Sequence, residues 1–168
     1  MTRLVVTCLF LLGAAEARAE EGLFTARLAG GVSSVAPDLP RLGGMVAGGF
    51  TLGLASALDL AVDATFVGHG AYDTLGLGAG FRLAASLGDW THPYILLEPQ
   101  LLLVWDGPGA GSPTVDGALR GALGIDYLLM WGLGFTLELG GTLPAGLGGV
   151  EQWNAASVGA IAGLYMEF

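Results

Sequence analysis

The chain ends with VGAIAGLYMEF, residues 158–168. Every second position, from Val158 through Leu164 to Phe168, is apolar or small. Successive side chains of a β-strand point to opposite faces, so this spacing is typical of a strand with one apolar face. The stretch therefore predicts a terminal β-strand that ends on an aromatic residue.

Residues 58–66 show the same alternation and decide between helix and strand. Leu60 and Val62 lie on one face, and Asp59 and Asp63 lie on the other. Only helices and closed β-barrels satisfy every backbone hydrogen bond in lipid. On a membrane helix both aspartates would lie at a costly depth, whereas on a barrel strand they point into a polar lumen. The alternation therefore favours a barrel.

Similar segments recur along the chain, with large apolar residues on one face and glycine or charged residues on the other. The chain contains 30 glycines, and many of them fall on the predicted inward face. A narrow barrel has little room inside, which explains why small residues are placed there. The pattern predicts an all-β, transmembrane, antiparallel up-and-down β-barrel of eight strands. Both ends of the strand series then lie in the periplasm. The predicted strands are 23–34, 43–55, 57–68, 74–85, 93–105, 115–127, 132–142 and 153–168.

The first nineteen residues have the features of a signal peptide. A positive start precedes the short apolar stretch LVVTCLFLLGAA (4–15), and Ala17-Arg18-Ala19 fits a signal-peptidase site. We expect cleavage after Ala19, which leaves residues 20–168 as a single barrel domain. The only cysteine, Cys8, would be removed, so the mature chain would have no thiol chemistry.

The charge of the chain is acidic, with a formal net charge of −9. Beyond residue 19 there are four arginines and no lysine. Such a chain has no basic surface for the phosphate backbone, so we expect no nucleic-acid partner.

With its strands placed, the chain resembles the small eight-stranded bacterial outer-membrane β-barrels, the OmpA/OmpX/OmpW-like group. The last strand and His92-Pro93-Tyr94 at the start of strand five carry the resemblance. It implies a monomer in the outer membrane of a Gram-negative bacterium, with outer-membrane lipid and the barrel assembly machinery as partners. It also implies an assembly signal in Leu164, Met166 and Phe168, where many relatives have Tyr or Phe at the position of Met166.

Aromatic residues near the predicted strand ends form two candidate interfacial belts. Such belts mark the two surfaces of the membrane. The predicted interfacial aromatics are Trp90, Tyr94, Tyr127 and Trp131 on the periplasmic side and Trp105 and Trp153 on the outer side.

The alternation of side chains along each predicted strand, here called strand parity, places three arginines and several acidic residues inside the barrel. A buried charge needs a partner, since an unpaired one costs about 3–5 kcal/mol. We expect Arg82 between Asp59 and Glu98, Arg120 near Glu98 or Gln100 and near Glu138, and hydrated carboxylates at Asp116 and Asp126. The predicted lumen charge network is Arg27, Asp59, Asp63, Arg82, Glu98, Arg120 and Glu138.

Two function classes stay open at this point. The first is a structural or interaction protein with a filled polar lumen and short extracellular loops, and the second is a small channel or transporter of apolar or small solutes. A lipid hydrolase at the outer rim is less favoured, because His69, Asp73 and Ser112 lack the spacing of a nucleophile and its base. We expect no enzymatic activity, no cofactor and no metal.

Overall fold

A computed structural model describes residues 24–35, 42–68, 73–105, 111–147 and 157–168. Within these ranges the chain forms one closed antiparallel barrel whose eight strands follow in sequence order. The predicted fold class is therefore confirmed. The strands are β1 (Phe24–Val35), β2 (Leu42–Ala55), β3 (Leu58–Gly68), β4 (Asp73–Ala84), β5 (Thr91–Trp105), β6 (Thr114–Met130), β7 (Leu133–Pro144) and β8 (Ser157–Glu167).

The barrel closes where β1 pairs with β8, from Thr25 opposite Glu167 to Val35 opposite Ser157. Phe168 continues this seam, since its backbone N–H donates to the Phe24 carbonyl at 2.8 Å. Closure pairs both edges of the sheet, as a lipid environment requires. We call the end that carries Phe24 and Phe168 the periplasmic end, and the opposite end the outer end.

Two periplasmic connections depart from the predicted limits. β6 runs to Met130 and turns at Trp131-Gly132, whose φ angles of 47° and 78° are those of a tight hairpin. The 85–90 segment is held by the Leu87 N–H, which donates to the Thr91 carbonyl at 2.8 Å. Local hydrogen bonds thus make the connection between β4 and β5 shorter than the sequence predicts.

The two faces of the barrel have opposite chemistry. Exposed side chains on the strands are apolar, for example Leu28, Leu119 and Leu139. The inward face contains the buried arginines and carboxylates together with a few apolar side chains such as Leu96 and Ile161. An apolar exterior around a polar interior is the arrangement of a barrel that spans a membrane.

The described residues contain no helix long and apolar enough to cross a membrane.

Several predicted features lie outside the described residues. These are the signal peptide and its cleavage site, His69 and Trp153.

Candidate functional site

Five inward side chains from five strands meet in the middle of the lumen. We call Arg27, Asp63, Glu98, Arg120 and Glu138 the central cluster. The register makes room for it through glycine. Gly49 of β2 lies opposite both Arg27 and Asp63, and a Cβ placed there would overlap the Asp63 carboxylate. The Arg27 and Asp63 side chains therefore have room to meet because the β2 residue between them lacks a side chain.

Arg27 holds two carboxylates. Its Nε and Nη2 donate to the two oxygens of Asp63 at 3.0 and 2.7 Å, which is a bidentate pair. Its Nη1 donates to Glu138 Oε2 at 2.8 Å. The guanidinium thus joins β1 to β3 and to β7.

Arg120 completes the central cluster. Its Nη1 donates to Glu98 Oε1 at 2.8 Å, and its Nη2 donates to Glu138 Oε1. The same Nη1 lies 3.7 Å from Asp63 Oδ2. Glu138 therefore binds an arginine through each of its oxygens, and Asp63 lies near both arginines.

Arg82 forms a second group nearer the periplasmic end, which we call the periplasmic cluster with Asp59 and Asp126. Its Nε donates to Asp59 Oδ2 at 2.8 Å and its Nη1 donates to Asp126 Oδ2 at 2.7 Å. Its guanidinium also stacks on the Tyr94 ring, 4.6 Å from the centroid. Both carboxylates and a ring face thus compensate the buried charge.

Tyr94 connects the two clusters. Its hydroxyl donates to Glu138 Oε2 at 2.8 Å and lies 3.3 Å from Nη1 of Arg27, while its ring covers Arg82. Every paired side chain in the two clusters is at most 9% exposed. The lumen is therefore crossed from β1 to β7 by one connected network, with charge-assisted hydrogen bonds within each cluster and the Tyr94 ring contact to Arg82 between the clusters.

The structure brings all seven residues of the predicted network into these two clusters, but with some different partners. Arg82 pairs with Asp59 and Asp126, not with Glu98. Asp126 is buried and ion-paired, which corrects the expectation of a hydrated carboxylate. Arg82 and Arg120 do not share a carboxylate in the described contacts, and Arg27 takes the wider bridging role.

Asp116 is also buried rather than hydrated. Its Oδ1 accepts hydrogen bonds from the backbone N–H of Gly117 at 2.7 Å and of Leu147 at 2.8 Å. The carboxylate therefore fixes the segment that follows β7 against β6 at the outer end.

Tyr94 does not belong to an interfacial belt, so that prediction is wrong. It is 3% exposed and shares its strand parity with Leu96 and Glu98. Opposite it, Gly124 leaves space that the ring fills, since a Cβ there would overlap the Tyr94 ring. The alternation along β5 was the sequence signal that could have identified Tyr94 as an inward residue.

The other predicted interfacial aromatics within the described residues lie on the outward face, whereas Tyr165 of β8 is 3% exposed and points inward like Tyr94. Trp90, Tyr127 and Trp131 are exposed near the periplasmic end, and Trp105 is half-buried at the outer end of β5. The assembly-signal residues Leu164, Met166 and Phe168 share the exposed face of β8. The Phe168 ring lies 6.0 Å from the Phe24 ring across the seam.

A cavity of about 80 Å³ lies above the central cluster, toward the outer end. Its floor includes Arg120 and Glu138, and its walls mix hydroxyl and apolar groups. The walls include Met45, Thr65, Val67, Gly76, Gln100, Leu102, Val104, Asp116 and Ile161.

Of the residues considered for a rim hydrolase, Asp73 and Ser112 lie in the described part of the chain, and no described contact joins them. Asp73 begins β4, and Ser112 lies in the turn before β6. Among the described residues, no group of three His, Cys, Asp or Glu side chains has the arrangement of a metal site.

Comparison with solved structures gives the same architecture. Neisserial surface protein A matches with a TM-score of 0.74 and 18% identity, over 88% of this chain and 100% of that chain. The chain has the fold of the small outer-membrane barrels. Ail, the attachment invasion locus protein of Yersinia pestis, matches with a TM-score of 0.62 and 10% identity, over 89% of this chain and 100% of that one. The outer membrane protein OprG from Pseudomonas aeruginosa matches with a TM-score of 0.57 and 14% identity, over 89% of this chain and 97% of that one.

No protein-family model matches the chain, and the search of curated proteins gave no match either. The fold and the apolar exterior together indicate an integral protein of the bacterial outer membrane.

Proposed function

We propose that this protein is a closed outer-membrane barrel whose lumen is plugged by its own charged side chains, and that it has a structural or interaction role. The observation that supports the proposal is the connected pair of clusters, in which Arg27 and Arg120 bridge β1, β3, β5, β6 and β7. An eight-stranded barrel is just wide enough for side chains to fill it. Ions crossing the lumen would have to break several buried ion pairs.

In this proposal the apolar exterior of the barrel contacts lipid, and the extracellular loops that connect the strands interact with other molecules. Contact with the barrel assembly machinery through the exposed face of β8 belongs to the same proposal, as does a monomeric state. We propose no catalytic role, since the described contacts unite no nucleophile with a base.

Conductance in planar lipid bilayers tests the plug. The wild-type protein, refolded and inserted, should give no stepwise current. The double variant Arg27→Ala with Arg120→Ala removes both central guanidiniums and should give current where it folds, as judged by the mobility of unboiled samples on a denaturing gel. Asp89→Asn is the control, because it changes one exposed charge in a periplasmic turn.

A narrow channel is the second candidate, and the cavity at the outer end favours it. Stepwise current through the wild-type protein, at the level of the double variant, would replace the plug with this alternative.

A further inference from the structure

We propose that the outer half of the lumen is a binding pocket for a small organic cation, a primary ammonium group with a short apolar tail. The pocket is the cavity above the central cluster. The inference goes beyond the proposed structural role and uses the plug only as its floor.

The first observation is an excess of buried negative charge around this cavity. Four carboxylates lie in its lining or directly beneath it, those of Asp63, Glu98, Asp116 and Glu138. Among the described residues, two arginines face them there, Arg27 and Arg120, and these already bind Asp63, Glu98 and Glu138. Low dielectric and poor screening strengthen the resulting field, so the pocket attracts cations and repels anions.

The second observation is a set of buried oxygens that can accept hydrogen bonds, one of which is a hydroxyl that can also donate. Thr65 lines the cavity and is 6% exposed, and its Oγ1 has no hydrogen-bond partner among the described residues. Glu98 lies below the lining and is fully buried. Its Oε2 also has no hydrogen-bond partner among the described residues. Buried polar atoms ordinarily have a partner.

The amide of Gln100 adds a third acceptor. Its Nε2 donates to Glu98 Oε1 at 2.7 Å. Its Oε1 is directed toward Gly76 of the lining, where a Cβ would lie 3.1 Å from that oxygen. A ligand that carries several N–H donors and a positive charge matches this set, whereas an alcohol supplies one donor and a carboxylate supplies none.

The walls and the volume set the rest of the ligand. Met45, Val67, Leu102, Val104 and Ile161 provide an apolar wall for a hydrocarbon tail. A benzene-sized ligand fills a cavity of about 150 Å³. A cavity of about 80 Å³ is smaller and therefore accepts a smaller ligand than benzene, such as propylammonium.

The test is a titration of the refolded protein in an uncharged detergent, followed by methyl NMR. The probes are propylammonium chloride, 1-propanol, sodium propionate and sodium chloride. Propylammonium should shift the methyl signals of Met45 and Ile161 saturably, with a dissociation constant at least tenfold below that of 1-propanol. Methyl signals of the lipid-facing Leu97 and Leu119 report partition into the micelle and should not saturate with the same constant.

Two variants assign the effect to the pocket. Thr65→Val keeps the shape and removes the acceptor, and should weaken propylammonium binding at least threefold. Asp116→Asn removes one lining charge and should weaken it by a similar factor. The control Asp89→Asn removes one carboxylate outside the lumen and should change nothing.

Equal affinities for propylammonium and 1-propanol, binding of propionate, absence of saturable shifts, or full affinity in Thr65→Val would each overturn the inference. Conductance is measured separately. Current through the wild-type protein with cation binding intact would end the plug proposal alone, and a silent barrel without binding would end the pocket alone.

Discussion

Arg27 and Asp63 form a bidentate ion pair across an intervening strand, with N···O distances of 3.0 and 2.7 Å. The residues belong to β1 and β3, and the β2 residue between them is Gly49. The pair passes over this glycine because no side chain stands in its way.

Gly49→Val should therefore destabilise the barrel. A Cβ at this position overlaps the Asp63 carboxylate and the Val62 carbonyl, and the backbone cannot move without breaking the β2–β3 ladder. Overpacking of this kind costs about 1–3 kcal/mol. Urea unfolding in lipid vesicles measures the loss.

Gly44→Val is the matched control in the same strand. Gly44 faces outward, and a Cβ built there meets nothing within 4 Å. Equal losses of stability in the two variants would show that the loss comes from replacing a β2 glycine in general, and that the ion pair has no special need for Gly49.

Tyr94→Phe should lower the free energy of unfolding by about 1.5–3 kcal/mol. The change removes the hydroxyl that donates to Glu138 Oε2, and hydrogen bonds to charged groups contribute in this range. Tyr127→Phe is the control, because Tyr127 faces outward and stacks on Phe135 through its ring. A loss confined to Tyr94→Phe would support the connecting role of its hydroxyl, and equal losses would contradict it.

How far the sequence predicts this interior depends on whether contacts follow strand parity or cross the lumen. Parity alone places Arg27, Arg82 and Arg120 inside, because it needs only the alternation along each strand. Tyr94 also follows parity and was missed because its place near a strand end suggested an interface.

The partners across the lumen could not be predicted in the same way. Arg82 of β4 reaches Asp126 of β6, and Arg27 of β1 reaches Glu138 of β7. Each pair skips one strand. Strand order gives neighbours within the sheet, whereas these contacts depend on the tilt and closure of the barrel, which bring non-adjacent strands together.

Arg82→Ala should cost about 3–5 kcal/mol, because it leaves Asp59 and Asp126 buried without a partner. Adding Asp59→Asn and Asp126→Asn to this variant should recover a large part of the loss, since the uncompensated charges are then gone. The unfolding free energies of the single and triple variants measure both steps. A triple variant no more stable than Arg82→Ala would mean that the guanidinium acts through packing on Tyr94 and not through charge.

Deletion of Phe168 should reduce the amount of folded protein in cells far more than it reduces refolding into detergent. Its side chain is 68% exposed, so the barrel gains little from packing it, while its backbone N–H adds one hydrogen bond to the seam at Phe24.

Phe168→Ala keeps that hydrogen bond and removes only the ring. If the ring serves recognition during assembly, Phe168→Ala should match the deletion in cells and the wild type in detergent. Met166→Ala, on the same exposed face of β8, is the control for lost apolar area. Folded yield is read in both settings from the mobility of unboiled samples on a denaturing gel. Parallel losses in cells and in detergent would assign Phe168 to the stability of the seam instead.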